Sequence, residues 1–136
     1  MSAIVGTVSG TSISFGAAVV ADSVRNSNTF ISGTFDSNAG KVVFVYSDLS
    51  NASHGTLISG TVSGTSITFD TPVVFDGTGS ERSSWLAATF DSNSSKVVVA
   101  YLQVDTQHAG NAVTFSPSYS STTLTSENFL GFAAHT

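Results

Sequence analysis

Self-similarity constrains this chain more than any other feature. Gly6 to Phe15 read GTVSGTSISF and return as GTVSGTSITF from Gly60 to Phe69, with nine of ten positions identical. TFDSNAGKVV, from Thr34 to Val43, returns as TFDSNSSKVV from Thr89 to Val98. The spacings are 54 and 55 residues. A repeat of this length, made only of strand and turn signals, must bury its faces against neighbouring copies of itself.

Four strand signals follow one another in each unit. The first is Thr29 to Phe35, matched by Ser84 to Phe90, with small residues Gly33 and Ala88 at a position suited to crowding near an axis. The second is Lys41 to Tyr46, matched by Lys96 to Tyr101, whose unbroken apolar run implies burial on both faces. The third is Gly55 to Val62, and the fourth runs from Thr65 through Phe69 to Phe75. Asp36 to Gly40, Asp91 to Ser95, Ser9-Gly10-Thr11 and Ser63-Gly64-Thr65 read as tight turns, where Asp and Asn bond their own backbone. Only Leu124 to Ala134 is also compatible with a turn of helix.

The expected fold class is therefore all-β: a β-propeller built from four-stranded up-and-down blades of about 54 residues. The phase of the repeat matters as much as its length. The chain opens on a third and fourth strand (Ala3 to Val20), completes one unit (Thr29 to Phe75), then offers a first and second strand (Ser84 to Val104). Residues 1–110 are thus read as two blades split at the ends, and 111–136 as a divergent closing segment. The leading pair of one chain is expected to complete the trailing pair of the next, closing a ring by head-to-tail contacts. A homo-oligomer follows. The trimer of six blades is favoured over a dimer of four, and a dimer of five applies if the tail adds strands.

Composition excludes several partners. The net charge is −5 and only Arg25, Lys41, Arg82 and Lys96 are basic, too few for a nucleic-acid surface or for anchoring on an anionic membrane. Ten Phe and a mean hydropathy of +0.23 separate the chain from disordered polar sequences. No cysteine is present, so disulfides and cysteine-ligated zinc are ruled out.

The two copies can be compared as sources of function. Their short turns are nearly unchanged, whereas the longer connections differ: residues 21–28 against 76–83, and 48–55 against 104–110. These share one rim, where loops on a rigid frame carry binding. Asp48, Asn51, His54, Arg82, Trp85, Asp105 and His108 are the candidate ligand-binding residues there. His54 and His108 look equivalent, close to Asp48 and Asp105, but one His and one Asp per loop is a poor metal set, and a turn histidine is the simpler reading. Trp85 offers a face for a sugar ring, although its match to Phe30 favours packing. Asp36, Asn38 and Gly40 resemble part of a calcium loop but lack the distal Glu, so a plain turn is preferred. Arg25 and Arg82 sit near Asp22 and Glu81, in keeping with local ion pairs. No metal, cofactor or catalytic residue is expected. Two arginines cannot make a sialidase-type triad, and no motif marks the carboxyl pair of a glycoside hydrolase, the least favoured alternative.

The phrases GTVSGTSISFG and TFDSNAGKVV, with Leu124 to Gly131 (LTSENFLG), resemble a repeat array found in marine phage and viral-metagenome sequences. The resemblance spans nearly the whole chain. It implies a β-propeller in a virion-associated or tail-fibre-like protein, at a virion or extracellular location, that contacts host-surface glycans. The alternative within the same class is a purely structural spacer. The chain departs from the array after Gly110, where the GTVSG phrase gives way to Phe115-Ser-Pro-Ser-Tyr119.

Overall fold

The computed structural model describes residues 1–23, 29–76, 82–104 and 109–116 in full, and 125–127 as backbone. The described residues are all-β apart from one 3-10 turn at Leu49–Asn51, and every strand pairing is antiparallel. The first unit contains β1 (Ser2–Ala3), β2 (Gly6–Ser9), β3 (Ser12–Phe15) and β4 (Val19–Val20). The second contains β5 (Thr29–Asp36), β6 (Lys41–Asp48), β7 (His54–Ser63), β8 (Ser66–Phe69) and β9 (Val73–Asp76). The third contains β10 (Ser83–Asp91), β11 (Lys96–Gln103), β12 (Ala109–Phe115) and β13 (Thr125–Glu127).

The middle unit is the expected meander, β5-β6-β7-β8. Its fourth strand is interrupted: β8 pairs with the far half of β7 and β9 with the near half, starting from Leu57↔Val73. The break falls at Asp70-Thr71-Pro72, where proline has no N–H to donate to a ladder. The opening unit repeats this outer half in the same register. Ala3↔Val19 corresponds to Leu57↔Val73, and Gly6↔Phe15 to Gly60↔Phe69. The crossing bond from Gly16 N to Val5 O (2.9 Å) has its twin in Asp70 N to Ser59 O (2.9 Å).

The trailing unit corrects the sequence reading. Its first two strands are not left open for another chain, because β12 pairs with β11 from Val97↔Phe115 to Gln103↔Ala109, and β13 pairs with β12. The β12 strand runs across residue 110, and Thr125–Glu127 is extended rather than helical. The described strands therefore make two four-position sheets and one outer half-sheet.

The core lies between sheets. Val43, Val45, Leu57 and Phe75 from the middle sheet meet Leu86, Val97, Val99, Tyr101, Val113 and Phe115 from the last. Phe75 anchors the seam edge-on to Tyr101 at 5.3 Å and to Phe115 at 5.7 Å. Gly55 is required here: a Cβ would lie 2.5 Å from the Phe75 ring and 2.8 Å from Ser83 Oγ. The opposite face of the middle sheet carries Tyr46 and Ile58, both fully buried beneath the opening unit. Tyr46 donates its phenol proton to Asp22 at 3.0 Å. Gly16 approaches the Thr65 carbonyl so closely that a Cβ would fall 2.0 Å from its oxygen.

Burial on both faces holds for β6 but not for β11. There Val97, Val99 and Tyr101 are buried while Ala100, pointing the other way, is exposed. The opening half-sheet also has an uncovered apolar face. Ile4 is 49% exposed where its twin Ile58 is at 0%, and Ile13 is 53% exposed where Ile67 is at 7%. Ile31 on β5 is likewise uncovered while its twin Leu86 is buried.

Candidate functional site

The turns that join first to second strands are held by their own aspartates. Asp36 accepts from the backbone N–H of Asn38 (2.8 Å) and Ala39 (2.9 Å), and Asp91 from Asn93 N (2.9 Å) and Ser94 Oγ (2.7 Å). These bonds hold Asp91 below the usual carboxylate range, Ser94 contributing most. The turn reading of Asp36 stands.

At the opposite ends of the strands, the loop 48–54 and the start of β10 come together. Ser83 N donates to the Ser53 carbonyl at 2.9 Å, and Ser47 Oγ donates to the same oxygen at 3.1 Å. That contact brings Arg82, Ser84 and Trp85 beside the loop bearing Asp48, Asn51 and His54. The polar seam continues underneath. Ser83 Oγ donates to Asp76, Gln103 Nε2 donates to Asp76 at 3.4 Å, and Asn111 Nδ2 donates to Gln103 Oε1 at 2.8 Å. Sequence reasoning missed this network. The signal for it was present in Asp22 and Asp76, which stand 54 residues apart and each tie a fourth strand to the next unit.

The candidate residues fare differently. Asp48 is buried, precedes the 3-10 turn, and accepts from Ser50 N (2.9 Å) and Ser50 Oγ (2.5 Å), so it shapes its loop. Asn51 is exposed on that loop, and Ala52 and Ser53 follow in left-handed conformation (φ 53° and 66°). His54 pairs with Asp48 across the ladder; its Nε2 is buried with no hydrogen-bond partner among the described residues. Arg82 is exposed, and its carbonyl accepts from Val104 N at 2.7 Å. Asp105 and His108, like Arg25 and Glu81, lie outside the described residues. By strand register the place of His54 is taken in the last unit by Ala109, since Asp48↔His54 matches Gln103↔Ala109; the presumed His54–His108 equivalence is off by one residue. No cluster of three possible metal ligands occurs among the described residues.

Trp85 departs most from expectation. It is no core residue: 71% of it is exposed. Its ring leans on that of Phe30, which is 42% exposed, with centroids 5.4 Å apart and planes tilted by 40°. The two residues are twins in successive units. Each sits where the ladder slips register, between Thr29 and Ser32 on β5 and between Ser84 and Ala87 on β10. Each has a left-handed backbone, with φ of 52° at Phe30 and 54° at Trp85. Their strands lie side by side, with Ala88 N donating to Ser32 Oγ at 3.1 Å.

No protein-family model matches the chain, and comparison with curated proteins and with solved structures finds no match either.

Proposed function

We propose that this chain is a non-enzymatic binding module of β-propeller type, completed by association between copies, which recognises glycans on one rim. The observation that carries the reading is the repeated outer half of the unit. The half-sheet and the middle sheet keep the same ladder register, and each sends an aspartate from the end of its outer strand into the next unit, Asp22 to Tyr46 and Asp76 to Ser83. Sheets stacked face to face by a constant operation are how blades are arranged, and such rings bind at their loop rims. Association is supported by the half-sheet, with its open β1–β2 edge and uncovered Ile4, Ile13 and Phe15. The preference for three copies rested on two blades per chain; two sheets and a half replace that premise. A non-enzymatic role is supported by the rim carboxylates Asp48 and Asp76, both engaged in holding loops and seams. That same engagement favours the structural-spacer reading as the rival. Location on a virion or other extracellular surface rests on the repeat resemblance.

The test pairs solution mass with a broad glycan array. A mass above one chain together with saccharide binding is the expected result. No binding by the assembled protein removes the recognition role and leaves the spacer.

A further inference from the structure

The exposed ring pair demands an explanation that stability does not supply. A bulky residue at positive φ is a genuine outlier, and such strain persists where surrounding structure imposes it, most often at ligand-binding positions. Here the outlier occurs twice, at twin positions, and both side chains are aromatic. Burial cannot compensate at Trp85, which is mostly in solvent. The Phe30–Trp85 contact recovers little, because each ring keeps a broad face in water.

We infer that Phe30 and Trp85 form a platform on which the apolar face of a pyranose ring stacks. The inference rests on the glycan reading above, and moves its centre from the variable loops to a position shared by the middle and last units. The neighbourhood selects the ligand class. Trp85 stands two residues along β10 from Ser83, whose N–H bonds the Ser53 carbonyl of the loop that bears exposed Asn51, so uncharged polar groups lie along the same strand end. A nucleobase would stack equally well, but its phosphates meet a chain of net charge −5 with four basic residues. A neutral saccharide escapes that repulsion.

Trp85 is the only tryptophan, so its emission reports the site directly. The whole protein is titrated with glucose, galactose, N-acetylglucosamine and their short oligomers, with a single-stranded DNA oligonucleotide as the competing class. The expected result is a saturable emission change with at least one saccharide, none with DNA, and affinity weakened at least about tenfold in Phe30→Ala. Trp85→Phe retains part of the binding by calorimetry, whereas Trp85→Ala loses it; both side chains are exposed, so the fold survives and circular dichroism verifies it. No response to any saccharide, a response unchanged in Phe30→Ala, or a response to DNA alone overturns the inference. Array binding that persists in Trp85→Ala defeats the platform and spares the glycan reading. A blank array together with a silent Trp85 removes both.

Discussion

At the residue scale, a close approach at one glycine sets how tightly the two sheets pack. Gly55 lies under the Phe75 ring and beside Ser83 Oγ, at the point where the middle sheet, the last sheet and the rim loop meet. Gly55→Ala forces a methyl group into an occupied space, and overpacking of this kind costs roughly 1–3 kcal/mol. Urea unfolding is expected to register a loss of that size, with the chain still folded in buffer. Gly110 has open space around a built Cβ, so Gly110→Ala provides a neutral reference. Phe30 and Trp85 illustrate the opposite economy, in which backbone strain of about 1–3 kcal/mol each persists without burial.

At the scale of the element, ionisable groups tie strands across each unit. The Asp70 carboxylate accepts from Lys41 Nζ at 2.5 Å and from Ser59 Oγ at 2.6 Å, joining the start of β6 and the middle of β7 to the end of β8. Lys41 first and Ser59 second hold the Asp70 carboxyl below its ordinary 3.8. A lowered folded value means that the contribution is complete above 3.8 and disappears as the pH falls below it. Because the pair is exposed, about 0.5 kcal/mol is at stake. Tyr46 behaves in the contrary sense. Burial, and then its bond to and the charge of Asp22, push the phenol well above its ordinary 10.0. Its stabilisation is therefore full below pH 10.0 and drains away as the pH climbs beyond it. Unfolding midpoints measured between pH 8 and 11.5 are expected to fall more steeply above about pH 10 for the native chain than for Tyr46→Phe.

Much of this element-level organisation was legible, because a doubled sequence states each strand and turn twice. The Asp36 and Asp91 turns and the middle meander follow from residue types alone. The strand β12 was obscured because the tail abandons the GTVSG phrase, although Ala112-Val113-Thr114-Phe115 keeps a period-two alternation. Site residues were harder. Asp48 was expected to offer its carboxylate to a ligand, but that group accepts from Ser50 of its own loop, and which way a short side chain faces is decided by the loop's own bonds. Trp85 was read as a packing residue because it matches Phe30, yet both rings are exposed, and exposure depends on which neighbour stands beside the strand.

At the scale of the whole molecule, twin segments of nearly identical sequence occupy unequal surroundings. The β2–β3 hairpin is exposed throughout, whereas the β7–β8 hairpin has the opening unit beside it and β6 along the extended β7 strand. Local opening energies follow contact with neighbours rather than sequence. Amide exchange on dilute single chains is thus expected to run at least about tenfold faster at Val8 and Ile13 than at Val62 and Ile67. Under the association proposed above, the difference narrows as concentration rises. Equal protection in the dilute chain would contradict this account of the half-sheet.

The register shared by the two outer halves has one more consequence. Strands at twin positions take the same hydrogen-bond partners, so a unit of about 54 residues can be inserted or deleted without remaking the ladders of its neighbours. Length in whole units is thereby free to change through recombination between like stretches of coding sequence, while the aromatic pair gains or loses one ring at a time.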